Sequence, residues 1–420
     1  MTASGHAGAR RRLRASRFGA AFAIPAVRAI WIAELQSTIG DLLARVALML
    51  LVYQRTGSPI WTALTLGLSY LPDLVGSVTL SWLADRLDRR LLAVLSATVQ
   101  AVLFAVMALP GAPLWLIMVL IALSAVALAP YRAALQAALP ELAGRGDALG
   151  DAQSLLAFTR QVAQVAGLAL SVAAVTVIGP QWALTVNAAT FAVSAILLWV
   201  ALPPLPAPAP TGTDATTWRR SMTGGLGELR RNPQLRGLTG LLCLAGVVAV
   251  PDGIAAPLVD QLGSEPASMG WLLAAHPVGM ALGTYLMPRA ADTAGRLIGP
   301  LVLLTLLPLV IAGVVLSTIP TLWCALLLLT FSGVGMAFLP TVQTQFLRHS
   351  PDHLRGSLVG LGRTVMRCSL GVGVVLGGLV AQWSGSTVLT IAGASVCGLL
   401  IARWSLRRWH TDYTVPSTTN

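Results

Sequence analysis

Runs of about twenty apolar residues, the length that crosses a bilayer as a helix, alternate along the chain with short intervals rich in Pro, Gly and Arg. The runs fall at 27–53, 61–82, 91–110, 114–131, 149–178, 181–202, 237–262, 267–288, 297–317, 321–344, 355–382 and 386–404. Each predicts a transmembrane helix, and the expected fold is an all-α membrane protein of twelve spans. One interval stands apart. Residues 203–236 open with Pro203-Pro204-Leu205-Pro206-Ala207-Pro208, a stiff extended stretch, and end in a basic run that includes Arg230, Arg231 and Arg236. The expected organisation is an Arg-rich cytoplasmic tail (1–26), a six-helix bundle (27–202), a Pro-rich basic linker (203–236), a second six-helix bundle (237–404) and a cytoplasmic tail (405–420).

Composition narrows the function class. Charged residues make up 10% of the 420 residues and apolar residues 55%, with a mean hydropathy of +0.75. An average soluble domain is about 25% charged, so a soluble enzyme and a disordered chain are both excluded. The net charge is +12, and all 28 basic residues are Arg. With the N-terminus inside, 22 Arg fall in the cytoplasmic intervals or at their span ends (Arg355 and Arg403), Arg55 alone falls outside, and the other five lie within spans. That asymmetry is the positive-inside signature, and it supports both the count and the orientation. It also accounts for the basic total without nucleic acid, for which no basic face interleaved with aromatics exists. The absence of Lys removes any Walker-type phosphate loop. Cys243, Cys324, Cys368 and Cys397 sit singly in apolar runs, and the five His show no ligand spacing, so no metal or cofactor is expected. Arg10, Arg11, Arg12, Arg14 and Arg17 precede a short apolar stretch followed by Arg28 and Glu34, which reads as a tail rather than a cleaved signal.

The halves carry faint internal similarity. Arg160 and Arg363 occupy corresponding places in spans five and eleven, and Asp41 and Asp252 lie at similar depths in spans one and seven. Two parallel six-span halves joined by a basic linker are the layout of transporters that rock around a midplane site. Between spans two and three runs Gly76-Ser77-Val78-Thr79-Leu80-Ser81-Trp82-Leu83-Ala84-Asp85-Arg86-Leu87-Asp88-Arg89-Arg90. It resembles the signature loop of the major facilitator superfamily, with Asp85, Arg86, Arg89 and Arg90 matching, and Ser81 and Asp88 in place of two glycines. Asp88 can pair with neighbouring Arg side chains, but lacks the conformational freedom of a Gly turn. Trp31-Ile32-Ala33-Glu34-Leu35-Gln36, Ile39-Gly40-Asp41-Leu42-Leu43-Ala44-Arg45 and Leu51-Val52-Tyr53-Gln54-Arg55 are similar to the macrolide-efflux and enterobactin-exporter branch of that superfamily. The resemblance implies a conformational latch made of Ser81, Asp85, Arg86, Asp88, Arg89 and Arg90. Span five departs from the family pattern, reading Gly167-Leu168-Ala169-Leu170-Ser171 where a Gly-Pro motif is usual.

A charge at mid-bilayer costs about 2.5–3.5 kcal/mol on insertion scales, so one retained there faces a partner or a polar space. The deep set is Glu34, Asp41, Arg45, Asp73, Arg160, Asp252, Arg363 and Arg367. Asp41 and Arg45 are one helical turn apart and share a face; Asp41 is a candidate proton-coupling carboxylate, and the alternative is a static ion pair. Asp252 is a second coupling or substrate candidate. Arg160 and Arg363 are candidates to bind an anionic group or to close the cytoplasmic side. Arg367 shares a face with Arg363 and therefore requires an acid or an anion nearby. Asp73, which follows Pro72, and Glu34, near the inner interface, are candidates beside structural readings. His276, ahead of Pro277, reads as a packed polar residue, and Gln36, Asn187, Gln343 and Gln345 as polar groups lining a path.

The function these features predict is secondary active transport, a proton-coupled export of an amphipathic small molecule from the inner membrane of a bacterium by a monomer. Uptake on the same fold remains the alternative, followed by a non-transporting membrane partner. A membrane enzyme would need a convergent His/Asp/Glu cluster, which the sequence lacks.

Overall fold

The computed structural model describes residues 24–80, 83–143, 147–206, 225–287, 295–351 and 354–410. Among these residues every regular element is a helix. In chain order they are α1 (Pro25–Thr56), α2 (Pro59–Thr79), α3 (Leu83–Arg86), α4 (Arg89–Met107), α5 (Leu114–Ala143), α6 (Asp147–Ile178) and α7 (Pro180–Ala201). The second part holds α8 (Pro233–Val248), α9 (Val250–Gly253), α10 (Ala255–Gln261), a 3₁₀ turn (Pro266–Ser268), α11 (Met269–Leu286), α12 (Ile298–Thr318), α13 (Leu322–Gly335), α14 (Phe338–Arg348), α15 (Arg355–Ser384) and α16 (Thr387–His410). Nine candidate spans in the described residues are long and apolar enough to cross a membrane.

Local chemistry sets the boundaries. Proline opens α2, α7 and α8, where its missing N–H costs nothing because the first turn has no carbonyl to bond. Gly179 (φ 84) turns α6 into α7, and Gly385 (φ 67) caps α15 in a left-handed conformation that a side chain would strain. Three elements differ from the sequence expectation, one of them the run 321–344, which is divided after Gly335 into α13 and α14. α5 runs to Ala143, twelve residues past the expected end, with Pro130 and Pro140 inside it. Each Pro removes one N–H, but in lipid the remaining backbone groups have no better partner than their own helix. Arg132, expected in an inner loop, therefore lies on the α5 shaft. The run 237–262 is divided into α8, α9 and α10. Pro251 has no N–H to offer the Val247 carbonyl, which instead accepts the Ala249 N–H.

The helices group into two compact units. The first comprises the described parts of residues 1–48 and 75–211; the second, those of 49–74 and 212–420. In the first, α4 packs against α5 and α7. Phe104 and Phe191 stack with centroids 5.9 Å apart, and the Tyr131 ring meets Phe191 edge-on at 6.1 Å. Gln100 and Ser124 bond each other in the same core, satisfying two polar groups that lipid cannot. In the second, α8, α12, α15 and α16 enclose an apolar core that includes Leu238, Leu241, Phe338 and Trp409. α11 and α13 approach closely through Gly279, Gly283 and Gly333. Small residues at such a crossing let backbones touch, which is the main source of helix association where lipid competes equally for apolar side chains.

Candidate functional site

In the first unit, α1 presents Glu34, Asp41 and Arg45 toward α5, α6 and α7. The Glu34 carboxylate accepts from Arg160 Nε at 3.0 Å and from a second guanidinium nitrogen at 2.5 Å. One turn earlier, Trp31 Nε1 donates to Thr159 at 2.8 Å, pinning α6 beside α1. Gln36 bonds Ser194 of α7 at 2.9 Å. Asp41, partly buried, lies within electrostatic reach of Arg132 and Arg45. Buried Asn187 faces it, within reach of its carboxylate. The buried Tyr131 hydroxyl lies beside Ser37 and Ser194. The cluster thus holds two carboxylates, three guanidiniums and buried polar groups among them. Groups in this state can exchange partners at little net cost, because moving one frees another to bond. Gly167 seats against Leu42, next to Asp41, so the small residue where the family motif is absent serves the α1–α6 contact.

In the second unit, Asp252 of α9 lies 3.3 Å from His276 Nδ1 of α11. Arg367 of α15 forms an ion pair with Asp73 of α2. Above that pair, α2 and α15 run antiparallel, with Gly67 against Val375, Gly371 against Leu71 and Gly378 against Ala63. Tyr53 donates to Asp260 at 2.8 Å and Ser58 to Gln382 at 2.8 Å. Arg363 is exposed and pairs with none of the described residues, unlike Arg160, its sequence counterpart. Gln343 donates to the Met366 sulfur, and Gln345 is buried.

The loop residues behave differently from one another. Ser81 and the Asp85 side chain lie outside the described residues, and Arg86 is exposed. Asp88 does not pair with the arginines. One carboxylate oxygen caps α4 by accepting the Leu91 N–H at 2.8 Å, and the other accepts the Leu205 N–H at 2.9 Å. A helix N-terminus offers unsatisfied donors that outcompete a solvated guanidinium. Arg89 pairs with Glu141 of α5 and donates to the Ala137 carbonyl. Arg90 donates to the Trp199 carbonyl and lies 4.2 Å over the Trp199 ring. These contacts tie the loop to α5 and α7 within the first unit.

Sequence reasoning missed Tyr131, Arg132 and Glu141 as partners. Their signal was the polar set Tyr131, Arg132, Gln136 and Glu141 at helical spacing after Pro130, which a boundary placed at the proline conceals.

The Major Facilitator Superfamily model matches residues 16–256 and 250–418. The multidrug efflux pump Tap of Mycolicibacterium fortuitum is 24% identical over 372 residues, 85% of this chain and 89% of that protein. A bacterial homologue of the human lysosomal transporter Spinster shares the fold with a TM-score of 0.71 at 12% identity, over 92% of this chain and 97% of that one. The POT family transporter PepTSo does so with a TM-score of 0.66 at 12% identity, over 93% and 99%. With the family matched along nearly its whole length, the chain belongs to the major facilitator superfamily and is a multi-pass membrane transporter of small molecules.

Proposed function

We propose that the chain exports an amphipathic small molecule from the bacterial cytoplasm, driven by the proton gradient. It does so as a monomer of twelve spans with both termini inside. Two six-helix halves, 27–202 and 237–404, alternate access to the substrate. The observation that carries the proposal is Asp41, a carboxylate on α1 set among Arg132, Arg45 and Asn187. Likeness to an efflux pump over 85% of the chain supports the export direction. The Arg distribution supports the orientation.

In this scheme a proton reaching Asp41 removes the negative charge that Arg132 and Arg45 share. The two guanidiniums then seek other anions, and Glu34, already engaged with Arg160, is the nearest acid on the same helix. That redistribution couples proton uptake to a change in how α1, α5 and α6 are held. The Asp73–Arg367 pair and the loop from Ser81 to Arg90 serve as latches in one conformation.

The test uses everted membrane vesicles energised by respiration, with the pH gradient followed by acridine-dye quenching. Amphipathic drugs and siderophores are added to vesicles carrying the native chain or Asp41→Asn. Export through Asp41 is expected to give dequenching that the variant loses. Dequenching retained by Asp41→Asn would remove Asp41 from the mechanism, and substrate movement in the opposite direction would establish uptake.

A further inference from the structure

We propose that Asp252 and His276 together form a second proton-carrying site, with the imidazole as the sheltered store and the carboxylate as its contact with water. The proposal rests on the reading of proton-driven transport above, and it adds to it the residue that holds the proton in the second unit.

Four observations converge. The Asp252 Oδ1 to His276 Nδ1 distance is 3.3 Å, close enough for one proton to be shared. Accessibility is divided: the Asp252 side chain is 33% exposed and the His276 side chain 2%. The carboxylate therefore reaches the surface of the chain, where a polar path can meet it, while the imidazole is enclosed. His276 Nε2 is buried with no hydrogen-bond partner among the described residues. A histidine retained only for structure satisfies both ring nitrogens, because a buried polar atom left bare costs about 1–3 kcal/mol. Finally, Asp252 sits where the chain between residues 248 and 255 is interrupted, in the four-residue helix containing Pro251. Irregular backbone at membrane depth is tolerated where protein covers it or where it lines a polar path.

The surroundings isolate the pair electrostatically. α13, which packs on α11 around Gly333 and His276, has no charged residue and one titratable group, Cys324, nine positions from Gly333. α10 contributes Asp260, already bonded by the Tyr53 hydroxyl, and the turn Pro266–Ser268 contributes nothing ionisable. α8 carries Arg236 at its far end and Cys243 two turns from the interruption. α15 packs Val374 against Gly253; its Arg367, seven residues from Val374, is held by Asp73, its Arg363 lies a further turn away, and Cys368 has no charge to offer as a thiol. α16 has its arginines at 403, 407 and 408, near the opposite end, and Cys397 between. One proton taken up by the pair changes it from one net negative charge to neutral. Only O–H and N–H bonds form and break, and the same proton leaves when water reaches Asp252 from the other side.

The test combines a spectroscopic and a transport measurement on the full chain in lipid. Acid-minus-neutral infrared difference spectra read imidazole protonation and its effect on the carboxylate without any substrate. An imidazolium ring band is expected that disappears in His276→Gln, with a shift of the carboxylate stretch that disappears in Asp252→Asn. In proteoliposomes, flux of a fluorescent amphipathic dye driven by a pH gradient is expected to fall about tenfold or more in either variant, equivalent to at least 1.4 kcal/mol. Dye exchange at equal pH is expected to persist, which also shows that the variants fold. Difference bands indifferent to both substitutions would overturn the proposal. Equal loss of driven flux and equal-pH exchange would assign the pair to substrate contact instead. If the native chain moves dye inward, the export direction fails while the infrared result still decides the proton site.

Discussion

Replacing Gly333 by Ala tests whether α11 and α13 are held by backbone contact. A β-carbon at Gly333 would lie 3.0 Å from His276 Cα and 3.1 Å from Gly279 Cα, and against the His276 carbonyl oxygen. Carbon rests about 3.5–4.0 Å from carbon and about 3.3–3.6 Å from a carbonyl oxygen, so the two helices must separate by about an ångström. The atoms it meets are backbone, and no rotamer change relieves them. Overpacking of this kind costs about 1–3 kcal/mol. Alanine regains up to about 1 kcal/mol as the better helix former, which a matched control removes. Gly393, exposed on α16, has no atom within 4 Å of an added β-carbon. Gly393→Ala is expected to be neutral or slightly stabilising. The difference between the two variants then reports packing alone, about 1–3 kcal/mol against Gly333→Ala. Reversible unfolding in mixed micelles by increasing SDS, followed by circular dichroism, measures both. Variants that agree within about 0.5 kcal/mol, the usual effect of a contact-free substitution, would refute the close-approach argument. Gly333→Ala should also disturb His276, whose backbone it strikes, and so lower gradient-driven transport.

Asp88→Ala leaves the Leu91 and Leu205 N–H groups without their acceptor, and is expected to cost about 1–2 kcal/mol in the same titration, with Asp88→Asn costing less. Asp73→Asn leaves Arg367 without its counter-charge; because Arg367 keeps 39% of its side chain accessible, a loss of about 1–2 kcal/mol is expected rather than the 3–5 typical of a fully buried pair, and Arg367→Gln in the same chain should restore most of it. Glu34→Gln breaks the contact with Arg160, whose side chain is 48% exposed, so stability should change by less than about 1 kcal/mol. Dye export measured on that variant should nevertheless fall several-fold, and export at the native rate would remove the Glu34–Arg160 pair from the transport cycle.

Much of the architecture is legible in the chain because lipid makes backbone satisfaction local. An apolar run of about twenty residues must bond its own peptide groups as a helix whatever its neighbours do. That requirement determined where α1, α2, α4, α7, α12 and α15 lie, and Pro59, Pro180 and Gly385 marked their ends without help from packing. The same local reasoning stopped α5 at Pro130, because a proline inside a helix is penalised by its own turn and rescued only by the medium around it.

The charged residues in the apolar runs were equally visible, together with the requirement that each find a partner. Which partner it found was a tertiary decision. Arg160 meets Glu34, Arg367 meets Asp73 and Asp252 meets His276, while Arg363, alike in sequence to Arg160, meets none of the described residues. Asp88 turned from arginine side chains to backbone N–H groups because a helix start and the residue Leu205 were brought beside it. No local pattern encodes those outcomes. Helices in lipid associate through the fit of small residues such as Gly279 and Gly333, and that fit, summed over whole helix faces, sets which polar groups come within bonding distance.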